Sequence, residues 1–334
     1  MCPLYSGGRY LNYASENPLR YVSSAKSIKL YEWINWFKEN FCYMHTYVTP
    51  EWNALSWHKT TVPAQYCKKL TITWIGHATT LIQVNDLAIL TDPVFGDISD
   101  YPRESPPGVS LGNLPNIDVI LISHNHKDHL DEASMQDLLI RFPNVFVLIP
   151  QGVAPLLISW GFKAEQIKEH MWWQRGRVVE ADITFTFVPA FYWSSCAGSG
   201  SINGSLWGGW VFECGTQDGK KTVYFAGDTA CHRDYFESIR KTFGVIDVAL
   251  LPIGPTEPGE LLTDTHMSGG DVFRAAIMVN ARCVIPIHWG TFCQGTDSWE
   301  TPLLKLEAAI QLHPEFLETL DLRLFLFGES YTVS

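Results

Sequence analysis

The 334-residue sequence has no excess of basic residues: 24 Lys and Arg stand against 35 Asp and Glu, a net charge of −11. Nucleic-acid binders usually carry a basic patch, so that class of partner is disfavoured, as is general attraction to an anionic membrane. No apolar run approaches the ~18 residues that would suggest a membrane-spanning helix. Residues 1–20 are polar, with no apolar core of the kind that marks a secretory leader. The eight cysteines, Cys2, Cys42, Cys67, Cys196, Cys214, Cys231, Cys283 and Cys293, are scattered. They form neither a C-x-x-C pair nor a dense framework, which suits a reducing compartment. The expected location is therefore the cytoplasm. No internal repeat or low-complexity tract is evident.

What the sequence has in quantity is apolar and aromatic material: 46% hydrophobic residues, with 13 Trp, against 18% charged. Those are the proportions of a globular protein with a large core, in one large domain or two ordinary ones. Residues 1–69 differ from the rest, being rich in Tyr and Trp with few strand signals. Within them Leu30, Trp33, Ile34, Phe37 and Phe41 fall on one helical stripe. The stripe can dock on the protein's own core. It can also make an amphipathic contact with lipid or with a second copy of the chain, although a polar face mixing Lys with Glu weakens the membrane version. The reading is an N-terminal extension over 1–69 packed on a catalytic domain over 70–334. Removal of residues 1–28 is expected to leave metal binding intact.

From Leu70 onward, short apolar strands bounded by Gly, Pro and Asp alternate with helices. Strands fit 70–75, 80–84, 87–91, 119–123 and 145–149, with a helix at 133–141. A second series follows at 183–189, 206–214, 222–226, 248–252, 283–287 and 322–327, with helices at 234–243, 270–279 and 301–312. This pattern describes a layered α/β protein. The division near residue 180 suggests two sandwiched halves of one domain.

The chemistry concentrates where the apolar run Asp118–Ile122 ends. Ser123-His124-Asn125-His126-Lys127-Asp128-His129-Leu130-Asp131 places four metal-binding side chains within six residues of a strand terminus. Such a loop can put His124 and His126 on one metal, and Asp128 and His129 on its neighbour. Nitrogen and carboxylate donors of this kind suit zinc, with manganese or iron as alternatives. The plain alternative is a polar turn with solvated histidines. Two further strands end in candidate donors: Tyr224-Phe225-Ala226-Gly227-Asp228 and Val284-Ile285-Pro286-Ile287-His288. With the His cluster they supply a bridging carboxylate and a terminal ligand. Two metals ~3.5–4 Å apart can hold one hydroxide and clamp the transition state of a displacement.

The H-x-H-x-D-H run, the downstream Gly-Asp and the late His resemble the metallo-β-lactamase superfamily. The likeness is closer to its N-acyl-phosphatidylethanolamine-hydrolysing phospholipase D branch and the bacterial relatives of that branch. The stretches that carry it are Trp74-Ile75-Gly76-His77-Ala78-Thr79-Thr80, Leu90-Thr91-Asp92-Pro93-Val94-Phe95 and the His cluster. Leu206-Trp207-Gly208-Gly209-Trp210, Phe225–Thr229, Leu251–Gly254, Ile287–Phe292 and Gly328-Glu329-Ser330 follow in order. Gly8–Asn12 is a weaker match. The resemblance implies a four-layer αββα sandwich with metals at the sheet edges. It implies that His124, His126 and a third His hold the first metal, and that Asp128, His129 and His288 hold the second, bridged by Asp228. Asp92 and His77 would orient these ligands from behind. The alternatives are a turn Asp before Pro93 and a satisfied core His. Asp128 and His266 are the catalytic candidates, although His266 also reads as a surface loop residue.

The sequence departs from that pattern in three places. Tyr192, in Pro189-Ala190-Phe191-Tyr192-Trp193, stands where the third imidazole is expected. Residues 194–201 are small where the family is bulkier and often basic. Gly259 and Glu260 stand where an Arg would face a phosphate. With Tyr192 as a neutral phenol, the expectation is one tight metal at the second position and partial occupancy of the first. The resulting reading is a metal-dependent hydrolase acting through a metal-bound hydroxide on a phosphodiester or related ester of a lipid-like substrate. Loss of a cation makes a neutral ester, lactone or amide relatively more plausible than before. The alternatives are a catalytically weakened relative that still binds metal or ligand, and a nucleic-acid phosphodiesterase. The partners expected are a small or lipid-like substrate and no nucleic acid, with peripheral membrane contact and a homodimer left open.

Overall fold

The structure is a computed structural model that describes residues 3–12, 57–59, 61–98, 101–179, 181–195 and 202–333. The helical stripe at residues 30–41 lies outside the described residues. Two seven-stranded sheets dominate. The first runs in the order Ser330–Thr332, Thr71–Gly76, Thr79–Val84, Leu87–Thr91, Val119–Leu121, Phe146–Pro150 and Ile167–His170. Its early strands pair antiparallel and its later ones parallel. The second runs Asp321–Leu322, Ala281–Ile287, Ile246–Pro252, Gly219–Phe225, Gly209–Thr216, Ile183–Val188 and Arg175–Val178. It is parallel at its first end and antiparallel at its second.

The strand period of two explains the layers. On the strand that precedes the His cluster, Val119 and Leu121 join the core between the sheets. Ile120 and Ile122 point the other way, onto Met135 and Leu138 of the helix Glu132–Arg141. A strand buried on both faces must be apolar throughout, as this one is. The inner core is aromatic: Trp74, Trp207, Trp210, Phe185, Phe187, Phe212 and Phe225 are all fully buried there. Helices Arg233–Phe243 and Val272–Val279 cover the outer face of the second sheet through Tyr235, Phe236, Ile239, Phe273 and Ala276. The result is the expected αββα sandwich.

Four differences from the sequence reading stand out. Ile167–His170 and Arg175–Val178 are edge strands too polar to announce themselves. The strand expected at 322–327 is only Asp321–Leu322, because Phe327 instead turns inward and stacks on Trp74 at 4.4 Å. The strand expected from 206 begins at Gly209. The N-terminal segment, read as poor in strands, contains a hairpin, Leu4–Ser6 with Arg9–Leu11. Tyr10 of that hairpin enters the main core.

Candidate metal centre

The site is assembled from loops at the carboxyl ends of strands in both sheets. Thr71–Gly76 leads to His77, Leu87–Thr91 to Asp92, and Val119–Leu121 to His124, His126, Asp128 and His129. The second sheet contributes Asp228 after Gly219–Phe225 and His288 after Ala281–Ile287. Three of these residues sit in the left-handed backbone region: His77 at φ 52°, Asp92 at 32° and His288 at 62°. That conformation is costly for side-chain-bearing residues and tends to persist where the surroundings enforce it. Here the enforcement is visible. The His288 N–H donates to the His77 carbonyl at 2.9 Å, and the His77 N–H donates to Thr291 Oγ1 at 2.7 Å. Gly227, at φ 59°, lies so close to Ser123 that an added Cβ would stand 2.5 Å from the Ser123 Cβ. The Gly-Asp pair is thus a packing requirement as well as a turn.

Two imidazoles of the His cluster, those of His129 and His124, are oriented from their outer nitrogens. Asp92 Oδ2 lies 2.7 Å from His129 Nδ1, and Ser123 Oγ lies 2.9 Å from His124 Nδ1. Asp92 is itself fixed by the Ser123 N–H at 2.7 Å. A ring that donates its Nδ1 proton outward presents an Nε2 lone pair inward. The inward atoms converge. His129 Nε2 and His288 Nε2 are 3.2 Å apart, and His124 Nε2 and His126 Nδ1 are 2.9 Å apart. Asp228 stands between the two sets, with His288 Nε2 3.0 Å from its Oδ1 and His129 Nε2 3.3 Å from its Oδ2. His124 Nε2 is 3.8 Å from the same Oδ2. Although buried, neither Asp228 oxygen accepts a well-aligned hydrogen bond from the described residues.

This arrangement fits metal ions. Facing lone pairs and an orphaned buried carboxylate are unfavourable unless a cation sits among them. Three overlapping groups have ligand atoms within 4.8 Å of one another: His124, His126 and Asp228; His77, Asp128, His129 and His288; and Asp92, His124 and His129. Burial opposes charge on Asp128 and Asp228, yet His129 and other neighbouring imidazoles hold both carboxyls well below the usual range. Burial pushes His126 and His266 down to about 4, so both are neutral at pH 7.

The structure brings together His124, His126, Asp128, His129, Asp228 and His288. It places Asp92 behind His129. His77 is closer than an orienting group need be: its Nε2 is 3.0 Å from Asp128 Oδ2 and its ring centroid 3.8 Å from that of His288. Tyr192 flanks His124 and His126 with ring centroids at 5.0 and 5.4 Å. Its hydroxyl lies 3.1 Å from His266 Nε2. Burial, then the Asp228 charge, raise the Tyr192 phenol well above its ordinary value. His266 is half-buried and faces the site, with Nδ1 3.9 Å from Asp228 Oδ2. Two contributors went unnoticed in the sequence. Gln294 donates to Asp128 Oδ2 at 2.7 Å, and Ser123 grips Asp92. A lone Gln in a loop gives no pattern, but Ser123 directly preceding the His cluster was a usable signal.

The family model described as a β-lactamase superfamily domain matches residues 88–289. The chain belongs to the β-lactamase superfamily. Among superfamily relatives, an uncharacterised protein of Mycobacterium tuberculosis is 34% identical over 73% of this chain and 64% of its own length. The N-acyl-phosphatidylethanolamine-hydrolyzing phospholipase D 1 of Caenorhabditis elegans is 30% identical over 68% of this chain and 65% of its own length. The chain thus spans slightly less than two thirds of these curated relatives. Among solved structures, Igni18, a metallo hydrolase from Ignicoccus hospitalis, superposes with a TM-score of 0.58 at 21% identity, covering 80% of this chain and 99% of that one. That likeness shows the superfamily's fold.

Proposed function

We propose that this metal-dependent hydrolase cleaves a phosphodiester or related ester of a lipid-like substrate, with zinc as the resident ion. The observation that carries the reading is the convergence of His124, His126, Asp128, His129 and His288 on the unsatisfied carboxylate of Asp228. The phospholipase activity for which the nematode relative is named supports the substrate class. His124, His126 and Asp228 would hold one ion, and Asp128, His129, His288 and Asp228 the other. When bound, the ions supply Lewis acidity, which makes water a nucleophile near neutral pH and offsets developing charge.

The chain's own residues do the positioning. Asp92 and Ser123 fix the ring orientation of His129 and His124. His77 and Gln294 converge on one oxygen of Asp128. His266 is neutral at pH 7 and is held at Nε2 by Tyr192. Among the described residues its Nδ1 has no hydrogen-bond partner, so it can accept a proton or contact the substrate. A lipid-like substrate implies peripheral contact with a membrane from the cytoplasm. Among the described residues no helix is long and apolar enough to cross one.

A second reading, a relative that binds metal without turnover, is favoured by the phenol of Tyr192 beside His124 and His126. A panel of phosphodiester, lactone and amide substrates separates the two, assayed before chelation, after it, and after zinc is restored. Diester cleavage that is lost and then restored is expected. Turnover of lactones alone would redirect the substrate class, and turnover of none would favour the second reading.

A further inference from the structure

The carboxylate of Asp128 faces three imidazoles, one more than the resemblance assigns to the second ion. His77 Nε2 lies 3.0 Å from Asp128 Oδ2, closer than His129 Nε2 at 3.4 Å or His288 Nε2 at 3.7 Å. His129 Nε2 and His288 Nε2 are 3.2 Å apart. Four donors at zinc bond lengths of ~2.0–2.2 Å, set at the corners of a tetrahedron, stand ~3.3 Å from one another. The observed separations scatter about that value. Donor atoms of His77, Asp128, His129 and His288 all lie within 4.8 Å of one another, and all four residues are buried.

The backbone holds His77 in this place. Its φ is 52°, in the left-handed region. Its carbonyl accepts from Trp74 Nε1 at 3.0 Å as well as from the His288 N–H at 2.9 Å. Its own N–H donates to Thr291 Oγ1 at 2.7 Å. His77 and His288 are thereby locked together, with ring centroids 3.8 Å apart. Orientation of Asp128 does not require a second donor, because Gln294 Nε2 already donates to the same oxygen at 2.7 Å.

We propose that His77 is a direct ligand of the second ion, completing with Asp128, His129 and His288 a set of four protein donors. The inference rests on the reading of the centre as metal-loaded, and it moves His77 from an orienting place to a ligating one. Asp228 then joins the two positions without being needed to fill the second. Four protein donors close a tetrahedral zinc site. The second ion is therefore the retained one, and the ion beside His124, His126 and the phenol of Tyr192 is the one that exchanges.

The test is long-range proton–nitrogen correlation spectroscopy of the zinc-loaded full chain with nitrogen-15 histidine, which separates protonated, free and zinc-bound imidazole nitrogens. The His77 signals are assigned by their loss in His77→Gln. His77 Nε2 is expected to carry no proton and to shift on zinc loading as His129 and His288 do. A protonated Nε2, donating to Asp128 in the loaded protein, would overturn the assignment. His77→Gln keeps an N–H that can reach Asp128 but loses the imidazole. It is expected to weaken zinc binding at the tighter position by more than about 100-fold in chelator competition, beyond the ~10–100-fold that loss of an orienting partner costs. Unchanged affinity would overturn the proposal. Should His77→Gln fail to fold, a crystal structure of the zinc-loaded wild type decides, with Nε2 expected ~2.0–2.1 Å from the ion. Zinc bound by Asp128, His129 and His288 with His77 out of bonding reach would leave the metal centre standing and remove only this ligand. Failure of zinc to bind at any of these residues would overturn both.

Discussion

At the scale of single residues, the centre is defined by which atom of each side chain is already spoken for. Asp92 occupies the outer nitrogen of His129 and Ser123 that of His124, leaving the inner nitrogens for metal. Asp92→Asn is therefore expected to lower metal affinity by about 10–100-fold, as loss of an orienting partner commonly does. Competition with a chelator would measure it. His126→Ala and Asp128→Ala should lower bound metal and activity together while the circular dichroism spectrum is kept, since both side chains end a strand in a loop. Full metal content in either variant would mean that the donors are elsewhere. Tyr192→His should raise the metal-to-protein ratio in equilibrium dialysis, because an imidazole beside His124 and His126 replaces a protonated phenol. An unchanged ratio would show that the first position needs no third imidazole. The His cluster was legible because its donors are contiguous and directly follow an apolar run. Gln294 was not, because its role depends on a fold that carries it 166 positions along the chain to Asp128.

At the scale of elements, the N-terminal hairpin has a place that its sequence does not advertise. Asn12 Nδ2 donates to the carbonyl of Tyr192 at 2.8 Å, and the Tyr10 N–H donates to the Asn203 carbonyl at 2.8 Å. The earlier expectation that residues 1–28 are dispensable for metal binding is revised accordingly. Removing residues 3–12 should lower the melting temperature and weaken metal retention at the first position, because the loop carrying Tyr192 loses its support. Asn12→Ala alone should cost about 1–2 kcal/mol by leaving a buried carbonyl unpaired. Strands with continuous apolar runs could be read in advance, while Ile167–His170 and Arg175–Val178 could not. Those two are formed by pairing at sheet edges and carry few apolar residues.

A second element-scale prediction concerns the loop joined by Asp297, whose carboxylate accepts hydrogen bonds from Thr256. Burial pushes Asp297 up to about 6 against the ordinary 3.8. A folded-state value above the unfolded one means that the native state binds the proton more tightly. The contribution of Asp297 to stability is then fully present below about pH 4 and is lost as pH rises through 6. Asp297→Asn should flatten that slope in urea denaturation at pH 4.5 and 7. A slope kept intact would assign it to another group.

At the scale of the whole molecule, the donors come from both halves of the sandwich. The first sheet supplies His124, His126, Asp128 and His129, and the second supplies Asp228 and His288. An ion held by both sets ties the two sheets together, and binding to the native state alone raises its stability by mass action. Chelation should therefore lower the melting temperature, and added zinc should restore it. The layered fold could be read from strand and helix periodicity together with the resemblance. The joining of donors from residues 124 to 288 could not be read from spacing alone, because it depends on how the two sheets face each other.

The most direct test of this arrangement is an anomalous difference map recorded at the zinc edge from crystals of the zinc-loaded protein. A strong peak is expected among Asp128, His129, Asp228 and His288, and a weaker one beside His124 and His126. Absence of any peak among these six residues, with zinc bound elsewhere, would contradict it.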